Sequence, residues 1–125
     1  MENLKPSEVL EQFLSYVDGV KTEYEENFAI VGEEDRRLQD LLHAMEFAPN
    51  KQERNKMATK LQQSRRRRRQ AKDKVLELEK IYDFQKDQAN RLFFKKLKAA
   101  LAQQKGTEQY LNGQREYKKR VGDDG

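Results

Sequence analysis

The sequence has no cysteine and no tryptophan, and its 125 residues include only two prolines. Without cysteine the chain forms no disulfide and has no thiolate for catalysis or metal binding. No apolar run approaches the roughly 20 residues that span a bilayer, and the amino-terminal residues lack the apolar segment of a signal peptide. We therefore expect a soluble protein of the reducing cytoplasm that has no membrane partner.

Groups that carry catalysis or bind metals are also scarce. His43 is the only histidine, so one chain cannot supply the several histidines of a typical zinc site. Asp40, His43 and Glu46 share a helical face, but a metal site in a helical bundle needs further carboxylates from facing helices. The sequence has no glycine-rich phosphate loop and no motif that pairs a nucleophile with a base. We predict a protein that is not an enzyme and holds no metal or cofactor.

Apolar residues are few, but they are periodic. They make up 35% of the sequence and charged residues 38%, a composition that suits long packed helices better than a compact globule. Near the amino terminus apolar side chains recur every seven residues, as in a helix packed along another: Leu10, Val17, Tyr24, Val31, Leu38 and Met45. This pattern predicts a helix over about residues 7–47, with Gly32 as the point where a break would fall.

Pro49 and Asn50 separate this helix from a second one. Asn50 is a favourable N-cap with Glu53 three residues later, and no proline or glycine follows until Gly106. The residues expected to face the first helix, which we call the seam, are Met57, Leu61, Ser64, Arg68, Ala71, Val75, Leu78, Tyr82, Ala89 and Leu92. We predict a second helix over about residues 50–105, with any break near residue 80. The fold class is all-α: a long antiparallel, coiled-coil-like helical hairpin in one domain of residues 1–105.

The second helix is longer than the first, so its end lacks a partner. In an antiparallel pair joined at the turn, residues whose numbers sum to about 97 lie side by side, and the first helix is used up near residue 90. The segment 89–101 is nevertheless apolar, and each buried Leu or Phe side chain contributes about 1.5–3 kcal/mol. We expect a homodimer or homotetramer rather than a fold-back near Ile81–Phe84. The expected interface residues are Leu92, Phe93, Phe94, Leu97 and Leu101.

The last part of the chain, residues 106–125, differs in composition. It contains Gly106, Gly113 and Gly122 and a basic patch from Arg115 to Arg120. We expect a basic, flexible tail.

Charge is divided unevenly between the two halves of the chain. Residues 1–50 carry 12 acids and 4 bases, a net of −8, whereas residues 51–125 carry 22 bases and 10 acids, a net of +12. From Arg54 to Lys74 there are 10 bases and a single acid, Asp73. The predicted pairing brings the acids at 23–26 and 33–35 beside this segment, so it offsets part of the basic surplus.

Five consecutive arginines, Arg65 to Arg69, lie at the centre of this surplus. On a helix they point around the whole circumference, so that Arg65 and Arg69 share a face. Arg68 falls in the seam near Asn27 and Phe28, whereas Arg66 and Arg67 are expected to point outward.

The run has three interpretations. It is a salt-bridged wall that stabilises the fold, a surface that follows the phosphates of a nucleic acid, or part of a pocket for a compact phosphate-bearing ligand. The residues we expect to bind such a ligand are Gln63, Ser64, Arg65, Arg68, Arg69 and Lys72.

Two segments, LLHAMEF at residues 41–47 and QQSRRRRRQAKDKVLELEKIYDF at residues 62–84, carry a resemblance to known proteins. The chain resembles small, all-helical proteins encoded by bacteriophages and prophages of Gram-positive bacteria, which share an LLHxxE helix end and an RRxRRxxKD segment. The resemblance covers about residues 36–95. Such relatives often have a proline where Glu79 and Lys80 stand here. The matching positions are Leu41, Leu42, His43, Glu46, Arg65, Arg66, Arg68, Arg69, Lys72 and Asp73.

The resemblance implies a setting inside a bacterial host cell. Small non-catalytic phage proteins commonly inhibit host defences or aid replication and recombination. We expect a counter-defence protein that sequesters a nucleotide immune signal through its arginines, since the adjacent acidic helix disfavours an extended polyanion. The alternatives are a nucleic-acid-binding accessory of replication or recombination, and an inhibitor that binds a host defence protein.

Overall fold

The fold is all-α over residues 3–114, which together with Val121 are the residues that the computed structural model describes. Three helices follow one another in this part of the chain: α1 (Pro6–Glu46), α2 (Lys51–Lys86) and α3 (Gln88–Asn112). The described residues contain no strand, so the predicted fold class is confirmed at this level. None of the helices formed by these residues is both long enough and apolar enough to cross a membrane.

α1 is continuous from Pro6 to Glu46, and Gly32 does not break it. Proline is favourable in the first turn because its missing N–H has no helical partner there, and Glu8 complements the positive end of the helix dipole. At the other end, the Phe47 amide donates to the His43 carbonyl at 3.2 Å. Pro49 follows, and since it has no N–H it does not continue the helix.

α2 begins where the sequence predicted, and it ends just before Asp87. The Asn50 side chain accepts a hydrogen bond from the Glu53 amide at 2.8 Å, which confirms the predicted N-cap. The helix passes without interruption through the arginine run and stops at Lys86. Asp87 is extended, with φ −60° and ψ 133°, and its carboxylate accepts from the Asn90 amide at 3.3 Å. The segment predicted as one helix is therefore two, and the break lies beyond the position expected near residue 80.

α3 continues to Asn112, past the end expected at residue 105. Gly106 lies inside this helix, and an added Cβ there would meet no atom within 4 Å. Residues 106–112, which we expected in the tail, are thus helical. The predicted basic patch at 115–120 lies outside the described residues.

The core is a single row of side chains between α1 and α2. Its buried apolar members are Leu14, Val17, Val20 and Leu41 from α1 and Ala71, Val75 and Leu78 from α2. Moving along α2, side chains contact progressively earlier parts of α1: Ser64 bonds to Glu34, Lys74 pairs with Glu23, and Gln85 donates to the Val17 carbonyl. α3 contributes no buried residue.

α3 packs on the amino-terminal part of α1, so the expectation that no segment of the same chain covers residues 89–101 is wrong. The centroid of the Phe94 ring lies 6.4 Å from that of the Phe13 ring and 6.2 Å from that of the Phe84 ring. The physical reason is the extended residue Asp87, which redirects the helix so that Phe94 reaches α1 and loses water contact. The cover is partial, because Leu92 and Phe93 each remain 53% exposed. Association with a second copy stays a prediction.

Candidate functional site

A buried carboxylate lies at the centre of the interface between α1 and α2. The Glu34 side chain has no solvent exposure. It accepts hydrogen bonds from the Ser64 hydroxyl at 2.5 Å and from Arg67 Nη1 at 3.0 Å, and Arg37 Nη1 lies 3.5 Å away. An ionised carboxylate in the interior costs several kcal/mol unless it is paired and hydrogen-bonded. One hydroxyl and two guanidinium groups meet that requirement here.

This cluster lines a polar cleft of about 570 Å³ between the two helices, which Leu41, Lys60 and Gln63 complete. Two of the predicted ligand-binding residues, Gln63 and Ser64, therefore face the same cleft. Ser64 is buried, however, and its hydroxyl is already bonded to Glu34. The Glu34 carboxylate pairs with two of the three bases that line the cleft, Arg37 and Arg67, and leaves Lys60 without an acidic partner among the described residues.

Arg67 belongs to the interface, so the expectation that it points outward is wrong. Besides its bond to Glu34, its Nη1 atom lies 3.6 Å from Glu33 Oε1. The reason is angular: Arg67 follows the buried Ser64 by three residues and precedes the buried Ala71 by four, and these spacings return to nearly the same helical face. The spacing of Arg67 from the seam residues Ser64 and Ala71 is visible in the sequence and could have predicted this position.

Arg68 is paired with Asp35 rather than placed beside Asn27 and Phe28. Its Nε atom lies 2.6 Å from Asp35 Oδ1, and about a third of its side chain is exposed. Side chains tilt toward the amino terminus of their own helix. For α2 that direction leads to later residues of α1, so a long arginine side chain reaches Asp35.

Four basic residues of α2 that have no acidic partner form an exposed row that we call the basic stripe: Arg54, Arg65, Arg69 and Lys72. All four are exposed, and none has an ion pair or hydrogen bond within residues 3–114. At 3.6 residues per turn they lie within a sector of about 60°, and the stripe is about 27 Å long. Arg66 is also exposed and unpaired there, beside the stripe. The stripe faces away from Ser64 and Ala71, so the acids of α1 do not contact it.

The six predicted ligand-binding residues thus lie in three places within one chain. Gln63 and Ser64 face the polar cleft, Arg68 is neutralised by Asp35, and the stripe holds the other three, which are Arg65, Arg69 and Lys72. Of the predicted interface residues, Leu92 and Phe93 are exposed, whereas Phe94, Leu97 and Leu101 are half-buried.

A third polar contact joins the helices nearer the end of α2. Lys74 Nζ lies 3.3 Å from Glu23 Oε1 and 3.4 Å from Glu77 Oε2. The hydrogen bond to Glu23 and its charge, with a smaller contribution from Glu77, raise the pKa of Lys74. Lys74 is therefore a paired cation and adds nothing to the stripe.

Comparison with known proteins gives no further assignment. No protein-family model matches the chain, and neither the curated proteins nor the solved structures contain a match. Within residues 3–114, no cluster of three or more His, Cys, Asp or Glu side chains is arranged to hold a metal ion. The function is therefore inferred from the geometry of charge alone.

Proposed function

We propose that the protein is a non-catalytic binding protein that holds the phosphates of a nucleic acid along the basic stripe of α2. One observation carries the proposal: Arg54, Arg65, Arg69 and Lys72 share an exposed face and have no acidic partner among the described residues, although Arg67 and Arg68 beside them are neutralised. A cation that is left unpaired on a rigid helix keeps its full charge for an external anion.

The shape of the stripe favours a polyanion over a compact ligand. Its cations follow the helix axis over about 27 Å, a length that corresponds to roughly eight base pairs of duplex. Four side chains spread in this way cannot close around one phosphate group, but each can contact a different phosphate of a backbone. Binding by such contacts releases condensed counterions and carries no base specificity.

The acidic residues of α1 do not oppose this function. Glu33, Glu34 and Asp35 are all engaged with Arg67 and Arg68, and none of them contacts a residue of the stripe. The acidic half of the chain thus neutralises the inner arginines and leaves the outer ones charged. This division supports an accessory role in replication or recombination, in which the protein coats or bridges nucleic acid.

Sequestration of a nucleotide signal, as in phage counter-defence, is the second candidate. It requires Arg65 or Arg69 of two protomers to converge on one ligand, with an antiparallel hairpin as the repeating unit. The observation that favours such an assembly is the exposure of Leu92 and Phe93, each 53%, on α3. We propose that these side chains pair protomers; inhibition of a host protein through the same aromatic surface is the third alternative.

A salt titration of binding to a DNA duplex of about 30 base pairs tests the proposal. We expect the logarithm of the association constant to fall steeply between about 50 and 200 mM salt. Replacing Arg65 and Arg69 together by glutamine is expected to reduce the magnitude of the slope by about two, because each lost phosphate contact removes about one. The affinity falls to a similar degree for unrelated DNA sequences.

Arg36→Gln is the matched control, since Arg36 is an exposed arginine of α1 that lies outside the stripe. It is expected to leave the slope nearly unchanged. A double variant that binds DNA like the parent protein would overturn the proposal. Saturable binding of one nucleotide per protomer pair, lost in the same double variant and insensitive to salt, would replace it with nucleotide sequestration.

A further inference from the structure

A second cationic site lies where the three helices meet, away from the arginine run. The break at Asp87 leaves a cleft of about 550 Å³ between α1, the end of α2 and the beginning of α3. A volume of this order is typical of small-molecule sites. Nothing in the pattern of the sequence predicted it, because the cleft exists only if the helix is redirected at Asp87.

The floor of this cleft, which we call the junction cleft, is apolar. Leu14 and Val17 are buried beneath it, and Phe94 lies at its edge. The Tyr82 ring forms a wall and is held in place from two sides. It stacks on Tyr24 with ring centroids 3.9 Å apart, and its hydroxyl donates to Glu25 at 3.2 Å. A planar or apolar group therefore has a preformed surface to contact.

The rim of the junction cleft is strongly cationic. Five bases line it, Lys21, Lys86, Arg91, Lys95 and Lys98, against two acids, Asp18 and Glu25. Both acids already have partners: Lys98 Nζ lies 3.2 Å from Asp18 Oδ1, and Glu25 accepts from Tyr82.

Four of the five bases have no acidic partner within residues 3–114, namely Lys21, Lys86, Arg91 and Lys95. Arg91 and Lys95 are four residues apart on α3 and share a face, while Lys21 comes from α1. Lys86 is also nearby, with its Nζ 5.3 Å from the centre of the Tyr82 ring. Cations from all three helices thus surround an apolar floor.

We propose that the junction cleft binds a compact anion that carries both a ring and several negative charges, of the nucleoside di- or triphosphate class. The ring would lie on the apolar floor beside Tyr82 and Phe94. The phosphates would contact Arg91, Lys95 and Lys21, where arginine and lysine donate charge-assisted hydrogen bonds. Inorganic phosphate would contact only the cations of the rim, because it has no ring to lie on the apolar floor.

Calorimetry with adenosine 5′-triphosphate, guanosine 5′-triphosphate and pyrophosphate tests this site on the full chain. We expect saturable binding of one nucleotide per chain and weaker binding of pyrophosphate. Arg91→Gln and Lys95→Gln are each expected to lower nucleotide affinity about tenfold or more, the usual effect of losing a hydrogen bond to a charged group.

Lys96→Gln is the matched control, because Lys96 is the exposed neighbour of Lys95 and does not line the cleft. It changes the net charge equally and is expected to leave the affinity unchanged. Equal losses for Lys95→Gln and Lys96→Gln would mean unspecific attraction and would overturn the site. Pyrophosphate binding as tightly as the nucleotides would overturn the role of the floor.

The site is separable from the basic stripe. The double replacement of Arg65 and Arg69 by glutamine is expected to bind nucleotide like the parent protein, although it loses DNA affinity. Conversely, Arg91→Gln is expected to lose nucleotide affinity while the salt slope for DNA stays close to that of the parent. A nucleotide affinity that falls in the stripe variant as much as in Arg91→Gln would overturn the assignment to the junction cleft.

Discussion

The pair α1 and α2 and the pair α1 and α3 are held together by different forces. Every buried residue of the described chain lies on α1 or α2, including the hydrogen-bonded Glu34, and α3 has none. α3 is attached instead by half-buried apolar side chains such as Phe94 and by polar contacts, among them Lys105 Nζ to Glu11 Oε1 at 3.0 Å and the bonds from the buried Ser7 to Glu108. Exposed ion pairs contribute about 0–1 kcal/mol each and weaken with salt. The pair α1 and α2 is therefore a rigid support, whereas the separation of α3 from α1 requires less free energy than the separation of α1 from α2.

This difference bears on both proposed sites. The basic stripe is carried by the rigid pair, so its cations keep their spacing when α3 moves. The lining of the junction cleft includes Arg91, Lys95 and Phe94 of α3, so the cleft is complete only while α3 stays packed on α1. A ligand in that cleft would hold α3 in place, since anything that binds only the docked state stabilises it.

The largest difference is expected between two leucine truncations. Leu78 is buried between α1 and α2, whereas Leu111 of α3 is 52% exposed. Leu78→Ala should lower the free energy of unfolding by about 2–5 kcal/mol, through lost burial and the cavity left behind. Leu111→Ala should change it by no more than about 0.5 kcal/mol. Denaturant unfolding followed by circular dichroism measures both, and equal effects would contradict the contrast between the two pairs.

A smaller effect is expected from the hydroxyl that satisfies Glu34. Ser64→Ala removes the 2.5 Å bond and leaves a buried carboxylate short of a donor, at an expected cost of about 1–3 kcal/mol. Thr59→Ala is the control on the same helix, because the Thr59 hydroxyl is exposed and bonds only to the Asn55 carbonyl. Its effect should stay within about 0.5 kcal/mol. If the two hydroxyls proved equally dispensable, the Glu34 cluster would not be a stabilising part of the interface.

The smallest expected effect is a pH dependence confined to the end of α3. The Glu108 carboxylate accepts from the Ser7 hydroxyl at 2.6 Å and from the Ser7 amide at 3.0 Å. These bonds, with a further one from Gln104, lower the pKa of Glu108 below its ordinary value of 4.5. Because the folded pKa is the lower one, this contact stabilises the docked α3 above about pH 4.5 and is lost as the pH falls through the folded pKa.

The Ser7 amide resonance in a two-dimensional NMR titration reports this transition. We expect its midpoint to lie below 4.5 and to disappear in Glu108→Gln, while the amides of the buried residues Val75 and Leu78 show no matching change. If the amide resonances throughout α1 and α2 changed with the same midpoint, α3 would not respond to pH separately from the other two helices.

The sequence predicted the parts of the fold that depend on local signals. Pro6, the N-cap Asn50 and Pro49 act within a few residues of their own position, and the bounds of α1 and the start of α2 followed from them. The break at Asp87 was missed because it has neither proline nor glycine. Aspartate is a favourable N-cap, but what decides between a straight helix and a break is the packing of Phe94 on Phe13, which no local pattern contains.

The candidate site was predictable in outline but not in detail. Helical spacing placed Arg65 and Arg69 on one face, and composition revealed the basic surplus around them. Helical spacing and composition could not show which arginine pairs with which acid, because the reach and tilt of an arginine side chain decide whether it meets an acid on the facing helix. Arg67 and Arg68 are neutralised for that reason, whereas Arg65 and Arg69 meet no acid of α1.

The buried Glu34 also determines which alignment of α1 and α2 is acceptable. If α2 slid past α1 by seven residues, the same face of α2 would still pack on α1. Ala71 or Met57 would then replace Ser64 opposite the carboxylate. Neither side chain donates a hydrogen bond, so Glu34 would be left buried without the bond it now receives, at a cost that apolar packing elsewhere in the row does not recover. An interface built only of Leu, Val and Ala would tolerate such a slide. A single acid in the row makes it costly and so sets the register of the two helices.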